Sequence, residues 1–260
     1  MRVDVFLAAT GRAKSREAAK RLIEAGRVSI DGAAITKASE TVDETAEHEV
    51  KIAETDEFVS RGGLKLEAAL DAFKIDVTGM RAADIGASTG GFTDCLLRRG
   101  AVTVYAADSG HGQLDERLCR DERVVNIEGF NARKLCEGDL GGIDTGLDIV
   151  VMDVSFISQT YILPGIPGLL KPGGLLVSLI KPQFEAGRAA VGKGGIVKHK
   201  QDRLASVKRV MDCAAASGFG YIGLITSPIT GGDGNVEYLL AVKQGSDKAF
   251  PDARSIGRLI

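Results

Sequence analysis

Residues 81–94 read RAADIGASTGGFTD and join a strand pattern to a helix pattern through a turn rich in glycine. The apolar run before the turn predicts a buried strand, and Asp84 places a carboxylate close to its end. From Phe92 to Arg99 the apolar spacing predicts a helix. A glycine turn that leads into a helix N-terminus allows a ligand to approach the backbone closely. The stretch therefore predicts a strand–turn–helix unit with a ligand at the turn.

The following strand pattern, VTVYAADS at 102–109, also ends in an acid, Asp108. A carboxylate at this place can accept hydrogen bonds from both hydroxyls of a ribose, which favours a nucleoside cofactor. The turn departs from the dinucleotide pattern G-x-G-x-x-G because Ser88 stands at the second glycine. Its form, D-x-G-x-x-x-G, resembles the first motif of Rossmann-like methyltransferases that bind S-adenosylmethionine.

Two other interpretations of this turn stay open at this point. Residues 86–90 have the G-x-S-x-G spacing of a hydrolase nucleophile elbow, and Ser88, Asp153 and His199 follow one another in the chain order of that class. Tight turns between a strand and a helix also occur without any ligand. Residues elsewhere in the chain must therefore decide between a cofactor site, a hydrolase and a plain turn.

Composition limits the class of protein. The chain has 260 residues and 44% hydrophobic residues, enough for one large domain or for a small and a medium one. Four cysteines without a C-x-x-C pair, and no secretory signal pattern, predict free thiols and a cytoplasmic location. No apolar run approaches the ~20 residues that span a bilayer, so we expect no direct membrane role. No spacing of His, Cys and carboxylates predicts a metal site.

The net charge of −2 conceals a strong local asymmetry. Up to Lys37 there are eight Lys or Arg residues against four acids, whereas residues 38–57 have one basic residue against eight acids. A basic stretch beside an acidic one is typical of a local binding surface. The overall charge therefore does not argue against a nucleic acid partner.

The first 57 residues predict a small α+β domain. A short helix near the N-terminus precedes a second helix, which Ser15 caps and Gly26 ends. A strand, a turn at Asp31–Gly32 and another strand follow, with a weaker strand at 48–52. If residues 12–20 are helical, their basic side chains share one helix face, a pattern that is also typical of an ordinary solvated surface.

The pattern R-x-D-x-x-L at 2–7, followed by Ser15-Arg16, Gly26 and Asp31-Gly32, resembles the small RNA-binding module of the ribosomal protein S4 type, the αL fold. In that module two helices and a hairpin present basic side chains to structured RNA. The resemblance implies RNA contacts from seven residues of this domain: Arg2, Arg12, Lys14, Arg16, Lys20, Arg21 and Lys37.

The rest of the chain predicts an α/β fold. Residues 58–63 contain two adjacent glycines and are expected to form a linker, 64–244 to form one domain, and 245–260, which have no periodic pattern, to form a loosely docked tail. Strand patterns alternate with helix patterns, which predicts a mostly parallel sheet covered on both faces. The seven predicted strands, the last two as a hairpin, lie at 82–86, 103–109, 124–129, 147–155, 175–181, 221–227 and 236–243.

Charged residues stand at the ends of several of these strands. Asp153 closes LDIVVMD, Lys181 closes LLVSLIK, and Glu237 opens the last strand. The carboxyl ends of parallel strands meet at one edge of the sheet, where α/β proteins bind their ligands. A charge there is costly to bury without a partner, so each of these residues could also belong to a structural ion pair.

Lys65, Asp153, Lys181 and Glu237 resemble, in order and context, the K-D-K-E tetrad of FtsJ-like ribose 2′-O-methyltransferases. With the basic domain in front of them, the segments SRGGLKLEAAL, DIGASTGGFTD, GHGQL, DVSFIS, KPQFE and GNVE are similar to those of the TlyA family. The resemblance covers residues 2–243. It implies a Rossmann-like methyltransferase fold with S-adenosylmethionine as cofactor. The implied activity is methylation of a cytidine 2′-hydroxyl, with ribosomal RNA and ribosomal subunits as partners. Neither the nucleotide nor the oligomeric state follows from it.

The resemblance also implies roles for individual residues. A ribose 2′-hydroxyl must lose its proton as it attacks the methyl group, and Lys181 is expected to accept that proton. Lys65 would orient the hydroxyl and favour the neutral form of Lys181, and the two carboxylates would hold the lysines. The cofactor set is Asp84, Gly86, Ser88, Thr89, Gly90, Gly91, Asp108, Gln113, Leu114 and Asn131.

The segment 185–200, EAGRAAVGKGGIVKHK, is basic and rich in glycine. We expect it either to be a solvated flexible loop or to order over RNA, with Arg188, Lys193, Lys198 and Lys200 on phosphates. Two further alternatives for the whole chain are a membrane-active haemolysin and an RNA-binding regulator without catalysis. The intact tetrad and glycine motif favour an enzyme over such a regulator.

Overall fold

The computed structural model of the chain describes residues 1–13, 15–24, 26, 28–52 and 58–260. The chain divides into two compact units, 1–57 and 58–260. Lys14 lies outside the described residues, and so does the side chain of Arg21.

The first unit contains two helices and a small antiparallel sheet. The helices are α1, Val3–Ala9, and α2, Arg16–Glu24, and the strands are β1, Val28–Ile30, β2, Ala33–Ala34, and β3, Val50–Ile52. The strand order is β2-β1-β3. Ser15 Oγ accepts a hydrogen bond from the Ala18 amide at 3.1 Å, so the predicted helix cap is confirmed. The predicted turn is confirmed as well, with Asp31 and Gly32 both at positive φ.

The condition set for a shared basic helix face is met only in part. The helix α2 begins at Arg16, so Arg12 is not on the helix that carries Arg16 and Lys20. Arg12 lies in the connection between the helices, because residues 10–13 form a turn and a bend and Ser15 caps α2. Arg16 and Lys20 are one helical turn apart and exposed.

The second unit is built on a seven-stranded sheet, as predicted. The strands are β4, Arg81–Ile85, β5, Thr103–Ala107, β6, Val124–Ile127, β7, Leu147–Met152, β8, Leu170–Ile180, β9, Phe219–Thr226, and β10, Tyr238–Gln244. Their order across the sheet is β6-β5-β4-β7-β8-β10-β9. β10 is antiparallel to both β8 and β9, and the other pairings are parallel.

Helices cover both faces of this sheet. They are α3, Gly62–Phe73, α4, Gly91–Arg98, α5, Glu116–Cys119, α6, Pro182–Glu185, α7, Lys200–Ala216, and α8, Ala253–Leu259. Side chains alternate across β10: Leu239 and Ala241 pack with α3 and α4, whereas Leu240 and Val242 pack with α7. Short 3₁₀ helices lie at Ala132–Glu137, Gln159–Tyr161, Leu163–Gly168 and Arg188–Ala190.

The two ends of this unit differ from expectation. The expected linker at 58–63 belongs to the second unit, because the Val59 amide donates to Asp94 Oδ2 at 2.8 Å and α3 already begins at Gly62. Gly63 has no room for a side chain, since a Cβ there would lie 2.2 Å from the Phe58 ring. The expected loose tail contains α8, whose Ile256 is buried among core residues of the sheet.

Candidate active site

The glycine turn after β4 is shaped by two close approaches. Gly86 has a φ of 87°, and a Cβ on it would lie 2.6 Å from the backbone oxygen of Asp153. Gly90 has a φ of 94°, and a Cβ on it would lie 2.2 Å from Leu118 and 2.8 Å from Leu114. Glycine is therefore required at both positions, once to let β4 and β7 meet and once to seat α5 below the turn.

Two cavities adjoin at this turn. The larger, about 450 Å³, is lined by five residues of the expected cofactor set together with Phe130, Phe156 and Ile162; the five are Gly86, Ser88, Asp108, Gln113 and Asn131. The smaller, about 260 Å³, is lined by Asp84, Gly86, Ser88, Thr89 and Gly91 and also by Lys65, Asp153 and Lys181. Gly86, Ser88 and Asp153 line both cavities, so a molecule in the larger one would reach the lysines in the smaller one.

Two residues expected to bind the cofactor are placed elsewhere. Leu114 is buried and packs under Gly90 rather than lining either cavity. Gly90 also lies outside both linings because its Cα side faces Leu114 and Leu118. Both residues belong to the segments DIGASTGGFTD and GHGQL, but Leu114 packs into the core against Gly90, so they support the turn.

Asp108 fixes the turn through its carboxylate. Oδ2 accepts from the Ser88 amide at 2.9 Å, and Oδ1 accepts from the Gly110 amide at 2.7 Å. Each carboxylate oxygen has more than one lone pair, so both oxygens can accept further hydrogen bonds. The residue therefore positions Ser88, which has a φ of 49°, and still presents a carboxylate to the larger cavity.

Asp84 carries an unpartnered oxygen. The residue is completely buried; Oδ2 accepts from the Thr93 amide at 2.9 Å and from Thr93 Oγ1 at 2.7 Å, whereas Oδ1 has no hydrogen-bond partner among the described residues. Burial raises the pKa of Asp84 to about 7, and the nearby charge of Asp153 adds to the effect. A buried acceptor without a donor is costly, so this oxygen indicates a place for a cationic or donor group of a ligand.

The four charged residues of the predicted tetrad form two ion pairs. Lys65 Nζ, on α3, donates to Glu237 Oε2 at 2.6 Å, and both side chains are buried. Lys181, directly after β8, has its Nζ 2.6 Å from Oδ1 of Asp153, which directly follows β7. Each carboxylate therefore holds one lysine. Gly231 leaves room for the first pair, because a Cβ there would lie 2.6 Å from Glu237 Oε1.

Two residues that were not predicted to belong to the site, Ser155 and Phe156, lie in it. Lys181 Nζ also donates to Ser155 Oγ at 2.8 Å, so the ammonium is held by two partners. Phe156 is 91% exposed, has a φ of 63° and contacts the ring of Phe184 with centroids 5.2 Å apart. An exposed aromatic ring in left-handed backbone is rare. The available signal was their position, two and three residues after an acid that closes a buried strand.

The basic segment at 185–200 is anchored rather than free. Asn235, which is buried, accepts from the Val197 amide at 2.9 Å and donates to the Gly195 oxygen at 2.9 Å. The expected RNA contacts Arg188, Lys193, Lys198 and Lys200 are all exposed. Asn235 therefore holds the backbone of residues 195–197, while the choice between a solvated loop and a segment that orders over RNA stays a prediction.

In the first unit, two of the expected RNA contacts converge on one buried acid. Arg2 Nε donates to Asp4 Oδ1 at 2.9 Å, and an Arg16 guanidinium nitrogen donates to Asp4 Oδ2 at 3.2 Å. The Arg2 hydrogen bond is the largest cause that lowers the pKa of Asp4 to about 2. Arg12, Lys20 and Lys37 are exposed. The acid therefore holds two guanidinium groups side by side at the surface.

The hydrolase interpretation is wrong. His199 is exposed and precedes α7, and within the described residues no hydrogen bond joins it to Ser88 or Asp153. Asp153 pairs with Lys181 instead. A triad needs its base within about 3 Å of the nucleophile.

Two other findings concern the described part of the chain. It contains no group of three His, Cys, Asp or Glu side chains that could hold a metal ion. None of its helices combines the length and the apolar character that crossing a bilayer requires.

A sheet with one antiparallel strand between β8 and β9, and a glycine turn after its central strand, defines the class of Rossmann-like methyltransferases. Residues 58–244 match the FtsJ-like methyltransferase family, and residues 1–48 match the S4 domain. The chain belongs to the TlyA family of FtsJ-like methyltransferases.

Similar proteins extend over nearly the whole chain. The 16S/23S rRNA (cytidine-2′-O)-methyltransferase TlyA of Mycobacterium tuberculosis is 45% identical over 249 residues, 96% of this chain and 92% of that protein. Hemolysin A of Brachyspira hyodysenteriae is 41% identical and covers 92% of this chain and 98% of its own length. A solved structure of a candidate hemolysin from Streptococcus thermophilus has a TM-score of 0.74 at 40% identity, covering 100% of this chain and 94% of that one.

Proposed function

We propose that this protein transfers the methyl group of S-adenosylmethionine to the 2′-hydroxyl of a cytidine in ribosomal RNA. The observation that carries the proposal is the pair of lysine–carboxylate contacts beside a cavity with an unpartnered buried carboxylate oxygen. The name and identity of the Mycobacterium tuberculosis relative support the substrate. Such an enzyme would work in the cytoplasm, where ribosomal subunits are assembled.

The residues fit the cofactor at both of its polar ends. Asp84 Oδ1 would accept from the ammonium of the methionine part, because that oxygen is buried and lacks a donor. Asp108 would accept from the ribose hydroxyls, and Gln113 and Asn131 would lie along the nucleoside in the larger cavity. When bound, S-adenosylmethionine supplies an electrophilic methyl group on a sulfonium, which leaves as a neutral thioether.

Lys181 would remove the proton of the attacking hydroxyl. Its Nζ is held by Asp153 and Ser155, which aim the nitrogen into the smaller cavity. A lysine accepts a proton only as the neutral amine. The neutral amine takes the hydroxyl proton at Nζ while the 2′ oxygen bonds to the methyl carbon, so the ammonium is restored beside Asp153.

Lys65 would hold the 2′ oxygen from the other side. Glu237 neutralises its charge within a buried pair, so Lys65 acts as an oriented donor with a fixed position. A fixed donor stabilises the negative charge that develops on the oxygen during attack. The two pairs therefore divide the work, with Lys65 orienting the hydroxyl and Lys181 accepting its proton.

The first unit would supply RNA affinity. Its S4 domain presents Arg2 and Arg16 side by side, and the exposed basic residues of 185–200 would meet phosphates near the reacting nucleotide. Arg2→Ala and Arg16→Ala should each weaken RNA binding and reduce the slope of log K against log salt by about one. Arg254→Ala, on α8, is the matched control. An unchanged salt slope in both variants would contradict this contribution.

Label transfer tests the whole proposal. The protein is incubated with S-adenosylmethionine carrying a radioactive methyl group and with small or large ribosomal subunits that lack the modification, and the labelled nucleotide is mapped. We expect label on a cytidine ribose and none with Lys181→Ala. Label on a base, or none on either subunit, would overturn the proposal. Because relatives carry the name hemolysin, liposome leakage by the purified protein without cofactor is measured in parallel.

A further inference from the structure

We infer that a groove next to the active site binds the unpaired nucleotide beside the target in the RNA strand; this inference rests on the proposed function. The groove, here called the flanking groove, has a volume of about 850 Å³. One wall is the stretch 156–161, the other is 183–191, and Arg133 and Arg209 line it as well.

The flanking groove continues directly from the active site. Phe156 and Ile157 line both this groove and the larger cavity. Its two walls are the segments that follow Asp153 and Lys181, the members of one tetrad pair. An RNA chain whose ribose reaches Lys181 must leave the site past these segments, and the groove is the concave surface that they form.

Aromatic surfaces are available in the groove. Tyr161 is 57% exposed, and the Arg133 guanidinium lies 5.0 Å from its ring centroid. Phe184 contacts Phe156 at the boundary with the active site. Unpaired bases stack on aromatic rings and on guanidinium planes whatever their sequence, which matches a paired Tyr and Arg at the surface of a groove.

The charge of the groove also fits a phosphate chain. Within the described residues, the Arg133 and Arg188 guanidinium groups have no carboxylate within 4.0 Å, so their charges are available to phosphates. The one acid of the lining, Glu185, is buried, and both of its carboxylate oxygens already accept hydrogen bonds from the protein. Its Oε2 accepts from Ser158 Oγ at 2.5 Å and its Oε1 accepts from the Gln159 amide at 2.8 Å.

Those two hydrogen bonds also join the walls. Glu185 belongs to the wall after β8, whereas Ser158 and Gln159 belong to the wall after β7. Gln159 is itself held from below, because its side chain donates to the Leu179 oxygen at 2.6 Å and accepts from Ser178 Oγ at 2.9 Å. A cross-linked groove loses little freedom on binding, so its contacts contribute to affinity with a small ordering cost.

Substitutions in the groove test the inference on methyl transfer. Tyr161→Ala, Arg133→Ala and Arg188→Ala should raise the KM for RNA, for Tyr161→Ala by about 5- to 100-fold as for the loss of one stacked base. We expect kcat and cofactor affinity to change less than about threefold. Tyr161→Phe, which keeps the ring, should retain most of the affinity, and Arg254→Ala is the control for charge. An unchanged KM in all three variants would overturn the inference.

Cross-linking locates the nucleotide independently of catalysis. The probe is a fragment of the substrate rRNA, free of ribosomal proteins, that carries 4-thiouridine one nucleotide from the target. The fragment is irradiated together with the enzyme, and the linked peptide is identified by mass spectrometry. We expect links to 156–161 or 183–191. Links to other peptides would overturn the inference. It would also be overturned if the groove variants bound this fragment normally but methylated intact subunits poorly, because the groove would then contact a ribosomal protein. A wild-type protein that transfers no methyl group would refute the proposed function, whereas a wild-type protein that transfers methyl groups while all three groove variants keep its KM would refute only the inference.

Discussion

Lys65 Nζ lies 2.6 Å from Glu237 Oε2, although 172 positions separate the two residues along the chain. The contact joins α3, which precedes the second unit's sheet along the chain, to the residue directly before β10. Both partners are buried, so neither charge is balanced by water. The pair connects the start of the second unit to one of its last strands. It also makes up half of the proposed catalytic tetrad.

Removing one member of this pair should be costly for stability. Glu237→Ala leaves the Lys65 ammonium buried without a partner, and we expect a loss of about 3–5 kcal/mol in the free energy of unfolding. The double variant Lys65→Met with Glu237→Leu should recover most of that loss but transfer no methyl group. Denaturant unfolding and label transfer on the same samples check both outcomes. An active double variant would show that the pair serves the fold alone.

Substitution of Lys181 should affect chemistry and leave binding intact. Lys181→Arg keeps the charge beside Asp153, but a guanidinium stays protonated and cannot accept the hydroxyl proton. We expect kcat to fall by about 10²- to 10⁴-fold, as for the loss of a general base, with little change in cofactor affinity. Single-turnover transfer and calorimetric binding measure the two quantities. Transfer at the wild-type rate by Lys181→Ala would assign the base elsewhere.

Cofactor binding should depend on pH through Asp84. Its pKa is raised to about 7 in the free protein, so the carboxyl is largely protonated below that pH. An ammonium at Oδ1 favours the carboxylate, so binding should release a proton below pH 7, and affinity should fall up to about tenfold for each pH unit below 7. Calorimetry in buffers of different ionisation enthalpy measures the released proton. Asp84→Asn should remove the buffer dependence, and equal proton release in that variant would contradict the assignment.

The first unit should lose stability in acid through Asp4. Its pKa is lowered to about 2 by the Arg2 hydrogen bond and then by Arg16. A lowered carboxyl pKa contributes stability above the unfolded value near 4, and that contribution is lost as pH falls through 2. Asp4→Asn should therefore weaken the first unit at pH 7 and make it less sensitive to acid. Hydrogen exchange of α1 and α2 amides in the whole protein, between pH 7 and pH 3, measures this. Equal acid sensitivity in the variant would contradict it.

Much of this site could be predicted because charged residues that directly follow apolar strand patterns are easy to recognise in the sequence. The apolar runs before Asp153 and Lys181 locate the edge of the sheet, and the parallel order brings that edge together at one place. The partner of each lysine could not be predicted in that way. Whether Lys65 meets Glu237 or Asp153 depends on how α3 docks on the sheet, and docking depends on contacts such as Val59 with Asp94 that have no periodicity in the sequence.

The residues that were misplaced or missed share a physical cause. Leu114 and Phe156 are both apolar residues beside motifs, yet one is buried under Gly90 and the other is almost fully exposed. Local backbone conformation, a positive φ in the case of Phe156, decides which way each side chain points. Likewise Ile256 is buried in α8, a helix of seven residues that is too short to show a repeating apolar pattern in the sequence.

Asn235 connects the basic segment at 185–200 to the residues that precede β10. Its side chain grips the backbone of Gly195 and Val197, and two positions further on the chain reaches Glu237. The segment that carries the exposed Lys193 and Lys198 is therefore connected to Glu237, the carboxylate that pairs with Lys65. The outer basic segment and the buried Lys65–Glu237 pair therefore share one support, the three residues from Asn235 to Glu237.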